Sequence, residues 1–345
     1  MTHDALNSLG HRTVPGPPPD LGERLTPRNV PLGGPRAMTV RRTLPQRTRS
    51  LIGPWCFVDH FGPDDVSANG GMAVPRHPHT GLATVTLLFS GQVLHRDSTG
   101  FTNTVRPGEV NLMIAGRGIS HSEFSTPDTT RLHGIQLWYA LPDDLRHGPP
   151  EAQHHVPTPE IRPGGTVRTY VGRIAGACSP IDTRTPAHAA EALINPGESL
   201  DLPLDPNCEH GLLLDTGSVS LTAWEADGVE ASARTALSPG ALHYLPAGLP
   251  GVRLHARPGP GVRVVIVGGP PFDEDIVLWW NFVARSHAEI VAYRTQWQRE
   301  IGAEPGPAPG PVRFGPYPSE PSGALPAPEL PNAQIRPRTR ARGQQ

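Results

Sequence analysis

"VPRHPHTGLATVTLLFSG", residues 74–91, sets His77 and His79 two apart at the head of a run rich in Val, Thr and Leu. The composition and the closing Ser90-Gly91 mark the run as a β-strand. Alternate side chains on a strand share a face, so both imidazoles point the same way. His121 and Glu123 in "GRGISHSE", residues 116–123, repeat the arrangement. If the two strands lie side by side, three imidazoles and one carboxylate converge, a set suited to Fe(II), Mn, Ni, Cu or Zn. Histidines so spaced also line partly wet faces and bond nearby carbonyls; the second pair shifts the balance toward a metal. Pro78 removes a backbone donor between the first two ligands, which suits a strand edge or entry.

Outward from these segments the chain reads as mostly β. Its 43 prolines and 38 glycines leave little room for long helices. Strands are expected at 82–89, 92–96, 110–114 and 132–140, and again at 166–173, 211–215, 218–223, 242–245 and 262–267. "PGEVNLMIAG" at 107–116 and "PGALHYLPAG" at 239–248 share length and both ends, so a duplicated β-barrel is the simplest account. Aligning the copies puts Pro203, Asp205, Arg253 and His255 where the first has His77, His79, His121 and Glu123. One metal is therefore expected, in the N-terminal half. The proline-rich stretch 141–165 serves as the link. Ser286 and Glu289 form a capping box, with Ile290, Tyr293, Trp297 and Ile301 on one face of the following helix, which is expected to pack on a barrel. The reading divides the chain into an N-terminal extension (1–36), a metal-binding barrel (37–150), a second barrel with the helix (165–300) and a proline-rich tail (301–345). Both ends are expected to lack regular structure, with Phe314 and Tyr317 lying along a surface groove.

Composition narrows the function. All thirty basic residues are arginine, which excludes a Walker lysine, a Schiff-base lysine and a lysine general base. A formal charge of −2 offers no basic field for nucleic acid. Three scattered cysteines, Cys56, Cys178 and Cys208, fit a reducing cytoplasm rather than a disulfide framework. No secretory leader or membrane span is expected.

"RSLIGPWCFVDHFGP" (49–63), "HPHTGLATVTLLFSGQVLHRDS" (77–98), "RPGEVNLMIAGRGISHSE" (106–123) and "LHGIQLWYALP" (132–142) occur in order, and together they resemble the pirin family of the cupin superfamily. The resemblance covers about residues 36–300. It implies an all-β bicupin, two cupin-type β-barrels with a C-terminal helix and proline-rich tails. It implies one divalent ion, most often Fe(II), held by His77, His79, His121 and Glu123, with Glu123 as ligand or base. Some bacterial members open the flavonol ring of quercetin with dioxygen; others are regulators that bind a transcription factor or metabolic enzyme. A flavonol-like substrate or a protein partner is thus implied for a cytoplasmic monomer, with no direct nucleic-acid or membrane partner. One departure stands out: Ala83 replaces the glutamate of the family's HPHRGFE, removing any acid-base duty there.

Other residues receive plainer readings. His95 and His133 sit on apolar strands, where packing is the default and support of a ligand the alternative. His60 is either a structural histidine or a substrate contact, Cys56 a small buried apolar residue, and His154 and His155 solvated. Gly116 and Gly118 precede a strand, not a helix, so phosphate cradling is rejected. Trp279 and Trp280 read as core or interface aromatics rather than a stacking platform. "IRPRTRAR" at 335–342 could touch acidic surfaces.

Overall fold

The structure is a computed structural model that describes residues 21–32, 38–224, 229–317 and 322–339. Parts of the expected N-terminal extension, and of the arginine-rich end, lie outside these residues. Two seven-stranded antiparallel sheets pack face to face, and each is backed by a four-stranded sheet to complete a barrel. In the first large sheet, Leu82–Ser90 lies between Val110–Ile114 and Arg131–Ala140, and Arg131–Ala140 also pairs with Trp55–Asp65. In the second, Val262–Gly269 lies between His188–Ile194 and Glu209–Thr216. The all-β reading with one C-terminal helix holds.

Alternation along Leu82–Ser90 explains how one strand serves two environments. Ala83, Val85 and Leu87 join a core shared by both sheets, which includes Leu137 and Tyr139 from one side and Tyr170, Leu213 and Val265 from the other. Thr84 and Thr86 face the opposite way, into the first barrel. Each fully buried aliphatic chain in such a core contributes about 1.5–3 kcal/mol. Polar contacts reinforce the seam: Trp55 Nε1 donates to Gly268 O at 2.9 Å, and Gly53 N donates to Glu209 Oε2 at 2.8 Å.

Among the described residues, the N-terminal extension contributes strands, while 301–317 and 322–339 have no helix or strand. Glu23–Leu25 adds an edge strand to the second barrel, with Leu25 opposite Leu242 and 1% exposed. Gly22 makes the approach possible: at φ +85°, a Cβ there would stand 1.7 Å from Tyr244 O. Arg28–Pro31 pairs with Thr39–Leu44 in the first barrel. The expected link carries two short strands, Glu151–His155 and Glu160–Arg162, each completing the edge of one large sheet.

Helix His287–Glu300 begins with the expected capping box: Ser286 Oγ accepts from Glu289 N, and Glu289 Oε2 accepts from Ser286 N. Ile290, Tyr293 and Trp297 are buried against a hairpin, Val277–Trp279 with Phe282–Ala284, and against the tail. Phe314 is a core residue, 0% exposed and edge-on to Trp297 at 5.3 Å, not a groove ligand. Tyr317 OH reaches Arg96 O and Ser122 Oγ in the first barrel. No helix among the described residues is long and apolar enough to cross a membrane.

His60 and His133 meet at the seam as structural histidines rather than as substrate contact or ligand support. Both Nε2 atoms lie against Asp215 Oδ1 of the second barrel, at 2.8 and 2.7 Å, while Arg263 donates to Asp215 Oδ2 at 3.0 Å. Burial alone would raise the Asp215 pKa; hydrogen bonds from His133 and His60 overcome this and hold it below the usual carboxylate range. Asp215→Asn is expected to lower unfolding free energy by about 3 kcal/mol at neutral pH, because the Arg263 charge and two imidazoles lose their carboxylate. A depressed folded pKa stabilises fully above the unfolded value and is lost as pH falls through the folded one. The gap between wild type and Asp215→Asn in urea melts should therefore shrink below about pH 4.

Candidate metal centre

The small sheet of the first barrel runs Ala73–His79, Ile119–Ser125, Val93–Asp97, Thr102–Val105. Ala73–His79 is its edge strand, which is where Pro75 and Pro78 can sit without breaking a ladder. The register sets His121 directly opposite His77 on one side and Asp97 on the other, and Glu123 opposite His95. An irregularity between Val74 and His77 lets the edge strand bend toward its partner. His77, His79 and His121 each place a ring nitrogen within 4.8 Å of the others, and all three are at most 5% exposed.

The hydrogen bonds assign the tautomers. His77 Nδ1 faces Pro75 O at 2.9 Å and His79 Nδ1 faces Asn281 O at 3.0 Å, so each donates from Nδ1 and leaves Nε2 bare. His121 Nδ1 lies 3.4 Å from His95 Nδ1, and His95 Nε2 lies 3.2 Å from Asp97 Oδ2. Asp97 Oδ1 accepts from Thr99 N at 2.8 Å and from the Thr99 hydroxyl, so it is an acceptor throughout. A neutral His95 then carries its proton on Nε2 and accepts from His121 Nδ1. That leaves His121 Nε2 bare, 3.1 Å from the bare His79 Nε2. Two lone pairs facing at this distance repel unless an electrophile stands between them. Burial pushes the His77 pKa down to about 4 and those of His79 and His121 well below the usual histidine value, so none relieves the repulsion by protonating at neutral pH. The donor set thus fits a divalent cation.

Glu123 is buried beside this group. One of its oxygens clusters with nitrogens of His121 and His95, and Oε1 is 3.3 Å from the Thr86 hydroxyl, which is also 2.9 Å from Gln136 Oε1. Burial raises its pKa. The three imidazoles and Glu123 line one cavity of about 440 Å³, walled by the Phe57–Trp138 stack (3.8 Å, 9°) and by Leu278, Trp280 and Leu325. Cys56 is buried in apolar surroundings with its thiol pKa pushed up to about 12, as an inert core residue. Ala83 belongs to the core between the sheets, so a glutamate at this position would face away from the cavity.

Support of a ligand is the alternative reading of His95 in the sequence, and the structure places it against His121; Asp97, its own partner, has no role in the sequence reading. The signal was present in "HRD": two residues apart, they obey the same alternation as His77 and His79. The C-terminal contribution, Asn281 O on His79, carries no signal in sequence because a backbone carbonyl acts. In the second barrel, strand pairing puts Asp201 opposite Arg253 and Ser199 opposite His255, shifting the sequence alignment of Pro203 and Asp205. Arg253 bonds both Asp201 oxygens at 2.6 and 2.9 Å and Glu230 at 2.9 Å, so a guanidinium already fills that position.

The Pirin family matches residues 37–139 and the Pirin C-terminal cupin domain matches residues 189–301. A Pseudomonas aeruginosa protein named "Putative quercetin 2,3-dioxygenase PA1205" is 37% identical over 331 residues, covering 96% of this chain and 97% of its own. A pirin-like protein of Caulobacter vibrioides is 31% identical over 269 residues, 75% of this chain and 88% of its own. The crystal structure of a quercetin 2,3-dioxygenase from Acinetobacter baumannii superposes with a TM-score of 0.79 at 33% identity, covering 91% of this chain and 97% of that one.

His95→Ala and Asp97→Asn are each expected to weaken metal binding about 10- to 100-fold, since they release the His121 tautomer. Competition titration with Co(II) and a chromophoric chelator measures this, with circular dichroism confirming the retained fold.

Proposed function

The chain belongs to the pirin family, a family of bicupins, and from that premise we propose that it is a dioxygenase of the quercetin 2,3-dioxygenase type. In this reading one divalent ion, Fe(II) in the cell, is held by His77, His79, His121 and Glu123. The observation that carries it is the convergence of three imidazoles, each deprotonated on Nε2, at the end of a cavity with aromatic walls. The names of the Pseudomonas and Acinetobacter relatives point to a flavonol as the substrate class.

When bound, a divalent ion supplies Lewis acidity toward a chelating hydroxyl and carbonyl pair. The side chains account for the rest. Glu123 reaches the imidazole cluster from the adjoining position, with Thr86 beside its Oε1, and serves either as fourth ligand or as acceptor of the 3-hydroxyl proton. Phe57, Trp138 and Leu278 give a planar substrate apolar surface and keep water from the reacting face. The Asp97–His95 pair holds His121 in its donor tautomer.

Protein loaded anaerobically with Fe(II) and then exposed to oxygen is expected to bleach quercetin, consume O₂ and release carbon monoxide. His121→Ala should lose the ion and this activity while keeping its melting transition, because apolar strands supply most of the stability. Glu123→Gln should lower kcat by about 10²- to 10⁴-fold. Iron-loaded wild-type protein that leaves quercetin intact in oxygen and yields no carbon monoxide would overturn the dioxygenase assignment. Elemental analysis of the purified protein decides among Fe, Mn, Ni, Cu and Zn.

A further inference from the structure

The cavity is asymmetric in charge. Its buried lining holds the imidazoles and Glu123; its more exposed lining includes Arg28 from the N-terminal arm, Arg42 from Thr39–Leu44 and Arg338 from the C-terminal tail. Arg42 is committed, since its Nε and Nη2 donate to the two oxygens of Asp59 at 2.6 Å each while it lies over the Phe57 ring. Asp59 and Glu123 are the cavity's two lining carboxylates; Asp59 is bonded to Arg42 and only attracts Arg28 from a distance, so neither Arg28 nor Arg338 has a carboxylate hydrogen-bonded to it among the described residues. Arg28 has a backbone carbonyl, Pro45 O at 2.8 Å, as its side-chain partner. Arg338 is exposed, held by backbone bonds to Ile276, and its side chain has no carboxylate or hydrogen-bond partner among the described residues. Three segments distant in sequence thus bring like charges to the more exposed lining, an arrangement that is unfavourable until an anion enters.

Trp280 lines the same cavity. It occupies the first position of the two-residue turn between Val277–Trp279 and Phe282–Ala284, at φ +51°. Glycine is the ordinary choice there, and a bulky residue in the left-handed region is strained. The strain has a local return: the turn presents the indole to the cavity while the next residue, Asn281, holds His79. As expected of a core or interface aromatic, Trp280 packs against the core under the helix, edge-on to Phe282 at 5.5 Å; its backbone conformation and its place in the cavity lining go beyond that reading.

We propose that the cavity selects a planar aromatic ligand with a full negative charge at the end remote from the imidazoles, stacked on Trp280 and clamped by Arg28 and Arg338. This deepens the flavonol reading and rests on it only for the group that meets the imidazoles. A neutral flavonol is then a weaker ligand than its sulfonated or carboxylated counterpart.

The test is equilibrium binding to the full-length protein, metal-free and Zn(II)-loaded, using quercetin, quercetin-5′-sulfonate, and the pair 2-naphthoate and 2-naphthamide, at low and high salt. Wild type is expected to bind each anion about tenfold more tightly than its neutral partner at low salt, with the preference shrinking as salt rises. Arg28→Gln/Arg338→Gln should abolish the preference, and Arg28→Glu/Arg338→Glu should reverse it, an inversion that mere loosening of the arms cannot produce. Trp280→Gly should bind every probe about tenfold more weakly while keeping the fold by circular dichroism, because glycine adopts the turn without strain. Equal binding of anionic and neutral partners, or full affinity in Trp280→Gly, overturns the proposal. Arg-dependent binding of naphthoate without binding of either flavonol keeps it and removes the flavonol reading. No binding of any probe removes both.

Discussion

The antiparallel register that sets His121 across from His77 is the constraint on which the candidate centre depends. Because side chains alternate with period two, a slip of one residue would turn His121 and Glu123 out of the barrel and bring Ser120 and Ser122 in. The opposite neighbour, Val93–Asp97, holds the same strand in place and brings Asp97 and His95 beside it. Ligand geometry and ligand tautomer are thus set by one strand, pinned from both sides.

The open side of that sheet is closed by chain from far away. Two prolines make Ala73–His79 a poor ladder partner, yet its free side is used: Leu325 N donates to Arg76 O, and just past the strand Val283 N donates to Thr80 O. The hairpin that covers the edge also supplies Asn281 O to His79 and the strained Trp280 to the cavity wall. The helix behind it is locked by Trp297 Nε1 on Leu325 O and by Arg146 on Glu289. The C-terminal half, whose own equivalent position is filled by Arg253, therefore contributes to the site by enclosing that of its neighbour.

The apolar core between the two large sheets gives this enclosure a rigid base. Its aliphatic chains interleave from both sheets, and at its border Asp215 gathers His60, His133 and Arg263 into a satisfied polar group. Such a group contributes orientation more than net stability. Ala83, the departure from the family's usual glutamate, belongs to this core and leaves the cavity's donor set untouched.

The sequence by itself determined what short-range periodicity can express. Alternation and turn residues located Leu82–Ser90, Val110–Ile114 and Leu242–Leu245, Ser286 and Glu289 marked the helix start, and two His-x-His/Glu pairs marked the donors. It left Asp97 and Asp215 without assigned roles, gave His95 support of a ligand only as the alternative to packing, read Trp280 as a core or interface aromatic, and did not foresee the strand Glu23–Leu25. Those depended on the tertiary structure, because each acts through a partner tens to hundreds of residues away: a tautomer fixed by a neighbouring strand, a carboxylate shared across a seam, an arm whose three residues become a strand only where an open sheet edge receives them. Periodicity reports which way a side chain faces; what it faces is decided by packing.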